Sequence, residues 1–302
     1  MQAFEPFLDA EDLSACVQAT ETAASLDARL QGGSAVWPLS LAPDQPLGEL
    51  FLSAKACSRS FRFGGLGDNV LGLGWRLPNG NKVQLGGRVV KNVAGFDLIR
   101  FLAASGGRFG APELMVLRLR PRPEAERILE LRGPLPALRE LARKVRHSSW
   151  AHALDALDLE ADPQTSRVIL AFGGRTDVLG LLDQEAGRWI HGSGLALTRL
   201  ASLPARHSQP WARVQAPMDL LPELAGEWLQ RYGGKVAAFL GQGVLQIEAI
   251  DKNEAGALQG LHELHQRMAV LGGHAEHPSL EPEPSAPQAR WERALLRQLE
   301  TA

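Results

Sequence analysis

The sequence predicts an α+β fold in two parts, and three observations carry that expectation. After Pro123, strand-like and helix-like segments alternate at intervals of about 20 residues, the pattern of helices laid on an antiparallel sheet. Before it, a glycine-rich run over 70–119 reads as hairpin, helix and strand. Between them, Pro121 and Pro123 interrupt the chain, because proline supplies no ladder N–H. The expected domains are therefore 1–123 and 124–277, followed by 278–302 as a linker and C-terminal helix.

Each element has its own warrant. Asp9 and Asp12 open a helical pattern that runs to about Leu30, with Leu13, Val17, Ala24 and Leu26 apolar and Gly32-Gly33 as its stop. Residues 34–63 hold Pro38, Pro43 and Pro46 and read as loop with a short helix near 48–56. Over 70–87, VLGLGWRL alternates, Pro78-Asn79-Gly80-Asn81 has turn chemistry, and KVQL returns as the second strand. Asp97 can cap a helix over 97–104 and reads as a cap rather than a catalytic group. Residues 113–119 read as a strand.

In the second part the strands are ERILELR, SRVILAFGG, WARVQAP, KVAAFL and GVLQIEAI, the last two a hairpin about Gly241-Gln242-Gly243. Helices are expected over 134–147, 176–191, 218–232 and 253–271, giving two ferredoxin-like halves. Residues 278–287 are a Pro/Glu/Ser linker and 288–299 a terminal helix.

Composition narrows the function classes. The 302 residues are 45% hydrophobic and 22% charged, enough to bury a core. Thirty-two basic residues against thirty-four acidic ones give a net charge of −2, which offers nucleic acid and anionic membranes no attraction. Two cysteines, Cys16 and Cys57, are too few for a disulfide framework or an iron–sulfur cluster held by this chain. No long apolar run predicts membrane insertion, and the acidic start MQAFEPFLDAEDL is unlike a signal peptide, so a cytoplasmic protein is expected. His262, His265, His274 and His277, with Glu276, read as a solvated polar face rather than a metal site. No Ser-His-Asp or paired-carboxylate arrangement stands out, and no catalytic residue is assigned.

The chemistry concentrates in GGRVVKNVAGFDLIRFLAASGGRFGAPELMVLRLRPRP, 86–123. Gly86, Gly87 and Gly95 let backbone approach a planar ligand, Lys91 is a lone cation in an apolar turn, and Asn92 can donate and accept. Ser105, Gly107 and Gly110 form a second loop whose N–H groups suit a phosphate or a ring carbonyl. Tight turns between packed elements would look the same.

The order double Gly, Val-Val-Lys-Asn-Val-Ala-Gly-Phe-Asp-Leu, Ser-x-Gly-x-x-Gly and a strand ending Leu-Arg-Pro-Arg-Pro resembles the flavin-facing core of FAD-linked oxidases of the PCMH type. Within that family it is most similar to the E-type FAD-binding subunit of glycolate oxidase; VLGLGWRLPNG and the later GVLQIEAI and LGGHA agree with it. The resemblance implies an incomplete PCMH-type FAD-binding domain over 1–123 and a ferredoxin-like α+β cap over 124–277. It implies FAD as cofactor, with Gly86, Gly87, Lys91, Asn92, Gly95, Ser105, Gly107 and Gly110 around it. The activity it implies is assistance in the two-electron oxidation of a 2-hydroxy acid.

Several positions depart from the family's pattern. Ala54 and Ala56 stand where glycines are expected, and Gly67 where an arginine is expected. Arg108, Pro112 and Glu113 replace Thr, an aliphatic residue and Thr. The family's first diphosphate-binding subdomain and its Asn-Pro-Gly-Arg tail have no counterpart, so the chain reads as truncated at both ends. From this follow two expectations: partnership with a complete FAD-linked oxidase subunit and an iron–sulfur subunit, or a homodimer. A flavin-free structural or regulatory subunit is the rival reading.

Overall fold

The computed structural model describes residues 4–53, 56–88, 97–103, 105–204, 210–249, 254–277 and 297. Among them one compact unit holds 4–53, 64–88 and 97–122, and a second holds 56–63 and 123–277.

The first unit contains β1 (Phe7–Asp9), β2 (Ser14–Gln18), α1 (Ala23–Leu30), β3 (Ala35–Val36) and α2 (Leu47–Ser53). After α3 (Ser60–Phe63), which belongs to the second unit, come β4 (Val70–Arg76), β5 (Lys82–Gly86), α4 (Leu98–Leu102), β6 (Ala111–Arg118) and β7 (Arg120–Pro121). The sheet runs β1-β2-β6-β4-β5, antiparallel throughout, and β3 pairs with β7. Leu73, Trp75, Met115 and Leu117 are buried, and Trp75 meets Phe51 of α2 edge-on at 6.4 Å. The hairpin over 70–87 forms as expected, with Asn79 Oδ1 accepting from the Asn81 amide.

The helix expected over 9–30 is replaced by two strands and a shorter helix. Asp9 spends its carboxylate on the amides of Glu11 and Asp12, which turns the chain back instead of starting a helix. Ser14 to Val17 are then all buried, the mark of a strand covered on both faces. The helix begins only at Ala23, where Thr22 accepts from the Ser25 amide. Arg122 closes this unit, donating to the carbonyl of Leu30, the last residue of α1, at 2.8 Å and to that of Gly33 just past it at 2.7 Å.

The second unit continues with β8 (Ala125–Arg132), α5 (Leu135–Arg146), β9 (Leu154–Ala161), β10 (Ser166–Gly174), α6 (Thr176–Ile190), β11 (Ala196–Leu200), β12 (Ala212–Gln215), α7 (Leu221–Tyr232), β13 (Lys235–Phe239), β14 (Val244–Ala249), α8 (Glu254–Ala269) and β15 (His274–Glu276). Its eight strands run β11-β8-β10-β9-β13-β14-β12-β15, all antiparallel. The four long helices share one core with one face of the sheet, through residues such as Leu138, Leu182, Trp228 and Leu261 against Leu159, Val168 and Phe172.

In this second unit three strands, β9, β11 and β15, are additions to the sequence reading. In β9 the acids Asp155, Asp158 and Glu160 disguise an eight-residue strand that is buried throughout. The linker expected over 278–287 lies outside the described residues, and of the helix over 288–299 only residue 297 is described.

Candidate functional site

The β4–β5 hairpin places Gly86 and Gly87 at its far end, beside the start of β4. Gly86 has φ of +68°, and a Cβ there would lie 2.2 Å from the Leu71 carbonyl oxygen and 2.9 Å from Ile99. Close backbone packing thus demands glycine at this position whether or not a ligand is bound. Gly87 continues the turn, donating its amide to Leu71 at 3.1 Å. Lys91, Asn92 and Gly95 lie outside the described residues. Asp97, next in the chain, caps α4 by accepting from the Arg100 amide, as its sequence context predicts.

The loop over 105–110 sits at the opposite end of β4. Gly110, at φ +111°, would put a Cβ 2.0 Å from the Arg76 carbonyl oxygen, so it too is fixed by packing. The indole of Trp75 donates to the Phe109 carbonyl at 2.8 Å and pins the loop down. Most of its amides are already spent: Ser105 on Leu102, Gly106 on Leu52, Arg108 on Ser105 and Gly110 on Gly107. The amides of Gly107 and Phe109 make no hydrogen bond among the described residues.

Gly107 differs from its neighbours, since a Cβ there would meet nothing nearer than 3.8 Å. Beside it, the Ser105 hydroxyl is buried with no hydrogen-bond partner among the described residues. An orphaned buried hydroxyl is costly and marks a place where an acceptor or donor from elsewhere is wanted. The two glycine turns are separated by the four-residue step from Gly72, opposite Gly86, to Arg76, opposite Ala111. That is roughly 13 Å of strand, so they suit an extended ligand rather than one small pocket. Glu113, a departure from the family pattern, has its charge met by Lys82 at 2.8 Å and Arg76 at 3.2 Å, and both cations hold its carboxyl below the usual range.

In the second unit the sheet face away from the helices is rich in buried charge. Glu130 and Glu160, 4% and 6% exposed, flank Arg167, which bonds each at 2.6 Å. Burial pushes the Glu130 carboxyl up, but hydrogen bonds from Arg132 and Arg167 outweigh this and leave it lowered. Segment 56–63 lies on the same sheet. Ser58 donates to Asp158 at 2.5 Å, and Arg62 reaches Asp155 at 3.3 Å. Burial dominates at Asp155 and raises its pKa against the pull of Arg59 and Arg62. Ala56, which stands where the family pattern expects glycine, packs on Ala237, Phe239 and Val244. None of these acids was singled out from the sequence. The available signal was an acid at alternate positions of an apolar strand, in ILELR and LDLEA.

Among the described residues no group of His, Cys, Asp and Glu could hold a metal. His265 faces the Ala275 backbone and His274 pairs with Glu276 at 2.7 Å. Cys16 and Cys57 are buried and are not joined in a disulfide. No described helix is long and apolar enough to cross a membrane.

No family model matches the chain. It is similar to the mitochondrial D-lactate dehydrogenase (cytochrome) of Arabidopsis thaliana, 31% identical over 117 residues, which are 39% of this chain and 21% of that protein. It is also similar to the glycolate oxidase subunit GlcD of Bacillus subtilis (strain 168), 37% identical over 71 residues, 24% of this chain and 15% of that one. The matches thus span about a fifth or less of these relatives' own length. Two solved structures of alkyldihydroxyacetonephosphate synthase superpose on 98% of the chain and on 63% and 64% of theirs, with TM-scores of 0.65 and 0.64. At 13% and 12% identity that likeness establishes the fold.

Proposed function

We propose that this chain, similar in sequence to a D-lactate dehydrogenase and a glycolate oxidase subunit and like alkyldihydroxyacetonephosphate synthase in fold, serves as an FAD-linked oxidoreductase chain of the glycolate oxidase and lactate dehydrogenase type. The observation that carries the proposal is that kinship in sequence and likeness in fold point the same way. Lactate and glycolate share one arrangement, a hydroxyl on the carbon next to a carboxylate, so a 2-hydroxy acid is the proposed substrate class.

FAD, when bound, would supply the acceptor for the hydride, which carries the two electrons of such an oxidation. Ser105, with its unpartnered hydroxyl, and the Gly107 and Phe109 amides are the described groups that fit it. Gly86, Gly87 and Gly110 shape the turns, and Lys91, Asn92 and Gly95 complete the proposed set. A cation such as Lys91 beside a reduced flavin would stabilise its negative charge.

GlcD is named as a subunit, which supports an assembly. We place this chain with a complete FAD-linked oxidase subunit and an iron–sulfur subunit, or in a homodimer. Cys16 and Cys57, buried and not joined in a disulfide, favour a cytoplasmic setting. The test is reconstitution: full chain incubated with FAD, freed of excess, should keep an oxidised-flavin spectrum. A pull-down from the native cytoplasm should recover a flavoprotein; recovery of none, from a chain that light scattering shows to be monomeric, ends the assembly proposal.

A further inference from the structure

Arg213 is the one guanidinium of the polar sheet face whose best edge is unclaimed among the described residues. It stands on β12, between β14 and β15, with Gln246 directly opposite on one side and Glu276 on the other. The flanking residues Ala212 and Val214 enter the helical core, so Arg213 points to the other face. Its side chain is 16% exposed. Nη1 reaches Glu276 at a long 3.5 Å, while Nε is buried with no partner among the described residues. The Nε–Nη2 edge is the one that takes a carboxylate through two parallel hydrogen bonds.

Gln246 is 7% exposed, and its side-chain amide makes no hydrogen bond among the described residues. Of the nearby carboxylates, Glu276 is shared between His274 at 2.7 Å and Arg213 Nη1 at 3.5 Å, while Glu248 pairs with Lys235 at 2.7 Å and Glu160 with Arg167 at 2.6 Å. The next residues on the same face, Ala237, Phe239 and Val244, are buried and apolar. The buried, unpartnered Arg213 Nε and the Gln246 amide thus sit side by side next to an apolar wall. Leaving that Nε unmade costs stability that a ligand would return.

We propose that Arg213 and Gln246 form a binding site for a short carboxylic acid, the guanidinium edge taking the carboxylate and the Gln246 amide a polar atom on the adjacent carbon. That the adjacent atom is a hydroxyl rests on the oxidoreductase proposal; the carboxylate does not. Gln246 can donate or accept, so a 2-hydroxy acid and its 2-oxo product both fit.

Calorimetric titration of the full chain with glycolate, acetate and methyl glycolate tests this, each run with and without FAD. Glycolate should bind saturably, and its neutral methyl ester at least about tenfold more weakly. Arg213→Lys keeps the charge but loses the fork, and should weaken glycolate at least about tenfold. Gln246→Leu should weaken glycolate and leave acetate unchanged, an outcome a merely unfolded variant cannot give. No saturation by glycolate in the wild type, equal binding of the ester, or retention of glycolate by both variants would overturn the site. Loss of FAD binding alone would sink the oxidoreductase proposal and leave this one standing.

Discussion

The two units hold their polar chemistry in opposite ways. In the first, the candidate site is made of backbone: glycine turns at both ends of β4, amides mostly spent on nearby carbonyls and one orphaned hydroxyl. In the second, long charged side chains are laid across one face of a sheet and packed until four carboxylates are nearly inaccessible. Shape written in backbone leaves a local trace, because only glycine tolerates the contacts. Charge arranged by register leaves none, since the partners come from strands distant in sequence.

The sharpest way to break this contrast is to remove the cation that two buried acids share. Arg167→Met should cost about 3–5 kcal/mol, because Glu130 and Glu160 remain buried without it. Urea unfolding measures this, and a loss below about 1 kcal/mol would mean that Arg132 and solvent suffice.

The glycine turns come next. Gly110→Val should cost roughly 3 kcal/mol, through collision with the Arg76 carbonyl and a positive φ. Gly107→Ala, with open space around it, should cost only about 1 kcal/mol from its φ of +81°. Equal costs at the two positions would erase the distinction between a packed turn and an open one. Smaller again is Asp97→Ala, expected to cost about 1 kcal/mol as the cap of α4, measured by thermal unfolding.

Acidification sharpens the comparison from the other unit. Glu130 is lowered in the folded state, so its contribution is present above the ordinary carboxylate range and is lost as pH falls through its folded value. Asp155 is raised, so it works in reverse: ionising it costs stability as pH climbs above the ordinary range. Asp155→Asn should therefore flatten the stability profile just above the carboxylate range without removing the acid-side loss. An unchanged profile would show that Arg59 and Arg62 cancel its burial.

The same physics decides how much could be read in advance. The hairpin over 70–87 was legible because Asn79-Gly80 is local turn chemistry, and Asp97 because capping is local. The stretch over 9–30 misled because Leu13, Val17, Ala24 and Leu26 mimic a helical period, while the Asp9 turn and the pairing of β2 with β6 impose strands. Strand β9 is hidden in the sequence because Asp155, Asp158 and Glu160 break its apolar run, and the partners that meet them, Arg62, Ser58 and Arg167, come from other segments. Gly86 and Gly110 were read as candidate ligand contacts; contacts with Leu71 and Arg76, visible only in three dimensions, also require them. Arg213 and Gln246 carry no sequence signal, as only the register of β12 and β14 brings them together.

One measurement bears most directly on the oxidoreductase proposal: the visible spectrum of the full chain after incubation with FAD, taken before and after anaerobic addition of glycolate or D-lactate. A retained flavin spectrum that bleaches on adding either acid is the expected result. Protein that remains colourless after incubation with FAD would contradict it and return the chain to a structural or regulatory role.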